Sequence, residues 1–319
     1  MSQLTQPRRR GSRSSRYTLD KSVKNPPLLD RDNKALLEEK ILHKYSGKFT
    51  KTTHRILIGD SRNMCELADN SVHLIVTSPP YFNAKEYSQW GSLDDYLDDM
   101  RKTLSECYRV LQPSRKFCLN ISDLPERSSS GVRWIALGAK MLTLCQEIGF
   151  EVVDRIFWFK TPLKGFQYGS LPHPPSPLIN DSVEYVFILR KPGKPDYTYV
   201  SKAIKEASRL RREEYVEYTK QIWSIRRVRE KDNINGHVAP YPEELPARCI
   251  KLYSFVGNTV LDPFGGRGTT TKAALSNKRN SILYEIQNEY LSRIKQTLKT
   301  DQSKLFNDSV IHIQKQQKR

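Results

Sequence analysis

The chain has 319 residues, 37% apolar and 28% charged, with 53 Lys and Arg against 35 Asp and Glu, a formal net charge of +18. That length buries one large core with room for a small added subdomain, and the composition is that of a soluble globular protein with polar tails. No apolar run is long enough to span a bilayer and none stands near the start, which argues against a membrane span or secretory signal, while the basic excess selects a polyanionic partner, nucleic acid ahead of a membrane surface.

Residues 1–53 read as a basic arm, with Arg8, Arg9, Arg10, Arg13 and Arg16 among Ser and Gly and one short helical pattern around Leu37 and Ile41. The core starts near His54, with a strand over 55–58 that Gly59 and Asp60 terminate. A brief helix over 63–68 leads to the apolar run 72–77, a buried strand that Pro79 and Pro80 stop abruptly. Ser92 and Asp95 resemble a capping box, and Leu93, Tyr96, Leu97, Met100, Leu104, Cys107 and Leu111 then recur at helical spacing up to Pro113. A strand over 116–121, a polar loop over 123–131 and a helix over 134–148 closed by Gly149 follow. Strands over 151–159 and 182–189 flank a Pro- and Gly-rich segment that holds Lys164, Tyr168 and His173, long enough to be a functional loop. With no clear helix between them, these two strands can pair antiparallel.

Residues 192–235 break the alternation. Their helical tendency over 201–223 and the basic cluster Arg226, Arg227 and Arg229 mark a candidate target-recognition insert; a solvated, charged helix pair is the other reading. Pro242, Glu243 and Glu244 suit the start of a helix. Strands over 259–262 and 280–284 and a helix over 288–298 complete the core, and residues 301–319 form a polar tail with one short strand at 310–313. The seven strands and their helices predict a doubly wound, three-layer α/β domain: a catalytic half over 54–191, the insert over 192–235 and a cofactor half over 236–300. The five scattered cysteines form no Cys-x-x-Cys pair and the six histidines are dispersed, so they read as core residues in a reducing compartment, with no metal site.

Two stretches carry chemistry. In Thr77-Ser78-Pro79-Pro80-Tyr81 a stiff proline turn at a strand end fixes a hydroxyl, a carbonyl and a ring, which suits a flat heterocycle. In Asp262-Pro263-Phe264-Gly265-Gly266-Arg267-Gly268-Thr269-Thr270 a strand turns through glycines into a helix, and Glu285 ends the next strand about twenty residues on, where an acid can accept from ribose hydroxyls. The dinucleotide and P-loop fingerprints are both absent, which argues against NAD and ATP.

Together these half-sites resemble the DNA amino-methyltransferases that use S-adenosyl-L-methionine, and Ser78-Pro79-Pro80-Tyr81 looks most like their cytosine-N4 branch. The resemblance covers roughly residues 54–298, with substrate strands first and cofactor strands last. That is the order of the permuted beta group, and it implies a Rossmann-like methyltransferase fold. It implies that Asp262 and Phe264 line the methionine end of the cofactor, with Pro263, Gly266, Gly268 and Thr269 in the same loop, Glu285 on the ribose, Asp60 at the adenine amino group and Thr77 beside them. Arg267 replaces the usual small residue, so its side chain points outwards or touches DNA. It further implies that Ser78 and the Pro79 carbonyl hold an exocyclic amine, that Tyr81 stacks on a base flipped out of double-stranded DNA, and that Lys164, Tyr168, His173, Arg226, Arg227 and Arg229 are candidates to hold the DNA. The family's setting is restriction–modification in a bacterial or archaeal cytoplasm, with a separate cognate endonuclease as a possible companion; the sequence leaves monomer or homodimer open. Adenine-N6 transfer, RNA modification and noncatalytic DNA binding are the alternatives, because serine in place of aspartate before the prolines favours cytosine without requiring it.

Overall fold

The short apolar runs become strands because both of their faces are covered. The computed structural model describes residues 51–83, 90–128, 131–161, 179, 181–228, 241–299 and 309–316. Nine strands form one sheet: β1 (Thr53–Ile58), β2 (Val72–Thr77), β3 (Leu111–Ile121), β6 (Glu151–Thr161), β7 (Val183–Arg190), β8 (Ile222–Arg226), β9 (Thr259–Asp262), β10 (Asn280–Glu285) and β11 (Val310–Lys315). Their order is β11-β1-β10-β9-β2-β3-β7-β6-β8. All neighbours are parallel except that β7 runs against both β3 and β6. A separate hairpin joins β4 (Leu124–Ser128) and β5 (Gly131–Ile135).

Successive residues along the central strands point to opposite layers. Ile75, Phe117, Leu119, Phe187, Leu189 and Leu261 pack with the inward stripes of α1 (Leu93–Val110) and α2 (Leu137–Ile148). Leu74, Val76, Cys118, Val186, Ile188 and Val260 pack on the other side against Leu245, Cys249 and Ile250 of α5 (Glu244–Tyr253) and Ala273 and Ala274 of α6 (Thr269–Ser276). Ile294 and Leu298 of α7 (Tyr290–Lys299) cover Ile56, Ile58 and Leu283. Ser92 caps α1 by accepting from the Asp95 amide at 3.1 Å, and Gly149 ends α2 at φ 115°. This is the permuted Rossmann-like architecture that the strand–helix alternation predicts.

Several expectations need correction. The sheet has nine strands, not seven: the insert adds an edge strand, β8, that the sequence did not indicate, and the strand expected in the tail joins the opposite edge as β11. Residues 63–68 are turns rather than a helix: the Arg109 guanidinium takes the carbonyls of Met64 and Leu67, each at 2.9 Å, and Glu106 takes the Met64 amide at 2.7 Å. The polar loop over 123–131 is largely hairpin, and Trp134 belongs to β5, so the second helix begins only at Leu137. Helical tendency over 201–223 resolves into α3 (Lys202–Ala207) and α4 (Arg212–Tyr218), after which Trp223 is fully buried within β8. Residues 1–50 of the basic arm, residues 162–178 and 229–240 and most of the tail lie outside the described residues, while Thr53 already belongs to β1.

Connectivity sets the position of the site. From β9 the chain passes through α6 to β10 on one side, and from β2 through α1 to β3 on the other, while β9 and β2 are themselves neighbours. Between them is the topological switch point, and ligands bind beyond the carboxyl ends of strands at such a place. Ser78 and Pro263 are the residues that leave those two ends.

Candidate active site

The two half-sites are bonded to each other. Thr77 Oγ1, at the end of β2, donates to Asp262 Oδ1, at the end of β9, at 2.6 Å, and both residues are buried. Asp262 Oδ1 also accepts from the Phe264 amide at 3.1 Å, which folds the start of the Gly-rich loop back over the carboxyl. Residues 185 positions apart are thereby held as one surface. Burial pushes the Asp262 pKa up, with Thr270, Thr77 and the Phe264 amide opposing. Thr270 lies near, yet Asp262 Oδ2 is buried with no group in hydrogen-bond geometry among the described residues.

The loop takes its shape from its glycines. Gly266 and Gly268 have φ of 50° and 83°, a region that costs side-chain-bearing residues energy. Gly265, which the sequence argument passed over, has the stricter requirement, since a Cβ there would lie 2.1 Å from Leu283 Cγ. The loop then caps against the neighbouring strand: the Gly266 amide donates to Glu285 Oε2 at 2.8 Å and the Gly265 amide to the Tyr284 carbonyl at 2.8 Å. Glu285 Oε1 takes the Gln287 amide at 2.9 Å. Burial, reinforced by the Asp262 charge and opposed by those amides, pushes the Glu285 carboxyl up to about 7. Pro263 is buried, while Phe264, Arg267 and Thr269 are half-buried on the loop; burial and the nearby Arg293 charge lower the Arg267 pKa.

Two buried carboxyls thus stand near each other at the ends of the neighbouring strands β9 and β10, and among the described residues neither is paired with a Lys or Arg. Such negative charge is costly unless a cation or several donors compensate it. S-adenosyl-L-methionine carries a sulfonium, an ammonium and a ribose diol, so this donor set fits it: Glu285 for the hydroxyls, Asp262 Oδ2 for the cationic end. Asp60 stands beyond the end of β1, next to β10. Its carboxylate is engaged by Arg62, from Nε at 3.0 and 2.8 Å and from Nη2 at 2.6 Å, and Arg62 Nη1 reaches on to Asp99 at 2.8 Å.

On the other side of the crevice, Ser78 and Pro80 are half-buried and Pro79 is buried. Tyr81 packs its ring against the α1–α2 core layer and donates its hydroxyl to Glu184 Oε2 at 3.0 Å. Burial and the Glu184 charge raise the Tyr81 pKa well above that of a free phenol, and a hydrogen-bonding contact with Ser78 pulls the other way. Asn120 Nδ2 donates to the same Glu184 oxygen at 3.0 Å and to the Tyr185 carbonyl at 3.1 Å. Glu184 and Asn120 carry no motif signal. Asn120 lies near the end of β3, and Glu184 meets it because β7 runs backwards and delivers its first residues to the edge where β2 and β3 end.

β6 and β8 end at that edge too, so Lys160, Arg226 and Arg227 share it: Lys160 pairs in register with Ile225, and Thr161 with Arg226. Arg226 is exposed, and Arg227 is half-buried. Lys164, Tyr168, His173 and Arg229 lie outside the described residues.

The family model described as DNA methylase, covering N6 and N4 amino-methyltransferases, matches residues 72–296. The chain belongs to this family. A type II methyltransferase of Methanocaldococcus jannaschii, M.MjaI, is 35% identical over 290 residues, which span 81% of this chain and 95% of the relative. A candidate DNA modification methylase of Thermus thermophilus, solved with S-adenosyl-L-methionine, superposes with a TM-score of 0.65 at 28% identity and covers 82% of this chain and 99% of its own. The PvuII cytosine-N4-specific DNA methyltransferase shares the fold, with a TM-score of 0.58 at 21% identity over 82% of this chain and 96% of its own.

Proposed function

We propose that this DNA methylase transfers a methyl group from S-adenosyl-L-methionine to N4 of a cytosine flipped out of double-stranded DNA. The observation that supports the reading is the Thr77–Asp262 hydrogen bond, which joins the end of β2, just before the Ser78-Pro79-Pro80-Tyr81 turn, to the end of β9, just before the Gly-rich loop. The donor, when bound, supplies an electrophilic methyl group on a cationic sulfur. Glu285 accepts the ribose hydroxyls and Asp60 faces the adenine end, while Asp262 offsets the positive charge. Phe264, Gly266 and Gly268 shape the loop around the methionine end, with Thr269 opening α6 behind it.

An exocyclic amine conjugated to a ring is a poor nucleophile because its lone pair is delocalised. Ser78 Oγ and the Pro79 carbonyl accept both amine hydrogens, which favours a pyramidal nitrogen and frees the lone pair. Pro80 keeps that turn rigid, and Tyr81 stacks on a base that leaves the duplex to enter the pocket. Orientation of two bound reactants supplies most of the rate. Serine before the prolines, where aspartate is the commoner adenine form, favours cytosine over adenine. The candidate recognition surface comprises Arg226, Arg227, Arg229, Arg267 and the Lys164, Tyr168 and His173 segment. A restriction–modification role is the setting that this reading implies, and whether a separate nuclease accompanies it is left open.

The test is to incubate pure protein with labelled S-adenosyl-L-methionine and unmethylated genomic DNA, then read the nucleosides by mass spectrometry. N4-methylcytosine is the expected product. N6-methyladenine would keep the fold and the crevice but reject the base assignment, and label found on RNA alone would reject DNA as substrate.

A further inference from the structure

A methylated amine must shed a proton, and the pocket holds a chain of polar groups arranged to take it. We propose that Ser78, Tyr81 and Glu184 form a proton path from the reacting nitrogen to the Glu184 carboxylate. The inference rests on the amine-holding role given to Ser78 above and adds a destination for the proton. A serine hydroxyl has no basicity of its own; what it gains here is a neighbour. Tyr81 Oη donates to Glu184 Oε2 at 3.0 Å, and the Ser78 hydroxyl, three residues before it, is near enough to pull the Tyr81 pKa down. With the tyrosine donating onwards, its oxygen is left to accept from Ser78, and Ser78 Oγ is left to accept from the amine, so every link has the polarity that drains a proton outwards.

The carboxylate at the end is held on both sides. Asn120 Nδ2 donates to Oε2 at 3.0 Å, and Lys160 Nζ, itself 2.8 Å from Asp181, stands 3.6 Å from Oε1. Stacking alone would require only a phenyl ring, and a tyrosine hydroxyl that only needs a buried partner would be served by any carbonyl. In the reaction the nitrogen lone pair forms the N–C bond while the C–S bond breaks and its electron pair stays on sulfur. The cationic nitrogen then gives one proton to Ser78, Ser78 gives its own to Tyr81, and Tyr81 gives its own to Glu184. Both hydroxyls end as they began, and the carboxyl releases the proton to water after turnover.

The experiment is single-turnover methyl transfer by the full chain to its DNA substrate in H2O and D2O, with wild type, Tyr81→Phe, Glu184→Gln and the double variant. Tyr81→Phe keeps the stacking ring, and the Glu184→Gln amide oxygen still accepts the tyrosine hydroxyl, so folding and binding are spared. Each single variant is expected to lower the transfer rate roughly a hundredfold, the low end for positioned proton transfer, with DNA and cofactor affinities within about threefold of wild type. The double variant should be no slower than either single one, and the solvent isotope effect of wild type should vanish in all three. Transfer within about threefold of wild type in Tyr81→Phe, or losses that multiply in the double variant, would overturn the path and leave the methyltransferase reading intact. A wild type that transfers nothing to DNA would overturn both.

Discussion

The ribose contact proposed for Glu285 joins cofactor binding to pH. The Glu285 carboxyl is buried near Asp262, and burial, outweighing the amides that favour its charge, pushes it from its ordinary 4.5 up to about 7. In the free protein the raised value favours the protonated form, so this group's contribution to stability is fully present below about 4.5 and is lost as pH rises through about 7, a change of roughly 3 kcal/mol. In the proposed ribose contact binding works in the opposite direction, since hydroxyls would donate to the charged carboxylate. Cofactor affinity is therefore expected to fall about tenfold from pH 7.5 to pH 6, with proton release on binding near neutrality. Calorimetry in buffers of different ionisation enthalpy checks both; an affinity flat across that range would remove Glu285 from the ribose. Acids with raised pKa values in a crevice mark functional sites when, as here, no side-chain cation among the described residues neutralises them.

At the scale of elements, β11 does more than lengthen the sheet. Residue Gln316, just beyond it, takes the Asp60 amide on Oε1 at 2.7 Å and donates from Nε2 to the Asn63 carbonyl at 2.5 Å, while its own amide bonds the Ile58 carbonyl at 2.9 Å. It lies so close to Gly59 that a Cβ there would clash with it at 2.4 Å. The turn that carries Asp60 is thus tied down by the far end of the chain. Gln316→Ala is expected to raise the KM for S-adenosyl-L-methionine about tenfold, the worth of one or two polar contacts, with kcat and the KM for DNA unchanged. Equal changes in both KM values would show that the strand acts through global stability instead. This contact also marks where sequence reading stops. The central strands and α1 were legible because their periodicity is local and strong, and Ser78–Tyr81 and Asp262–Gly268 because each motif is contiguous. Glu184, Asn120 and Gln316 were not, since their roles arise from contacts between partners 103, 64 and 256 positions apart. Trp223 misled for a related reason: a charged, Tyr-rich run reads as helix until Trp158 and Arg248 supply the buried surface that makes it a strand.

For the whole molecule, the net charge of +18 matters less than which edge of the sheet presents it. β6 and β8 end together at the catalytic edge, and the chain leaves β8 through Arg226 and Arg227 towards the crevice side. The segment before them does not stand apart from the core. Trp223 is fully buried in the sheet, Arg248 of α5 stacks over both Tyr218 and Trp223, and Lys251 pairs with Glu214 at 2.7 Å. Arg226 and Arg227 are consequently held on a support that packs against α5 of the proposed cofactor half, so in the proposed complex they would meet DNA phosphates at a fixed distance from the Ser78–Tyr81 turn. Phosphate contacts give affinity without sequence information, and each one released shows as a change in salt dependence. Replacing both arginines with alanine is expected to weaken binding to cognate and unrelated duplexes alike and to reduce the slope of log affinity against log salt by about 2. Fluorescence anisotropy over a salt series measures it. A loss confined to the cognate duplex, with an unchanged slope, would mean that these side chains read base edges instead, and β8 would then be a recognition strand rather than a backbone clamp.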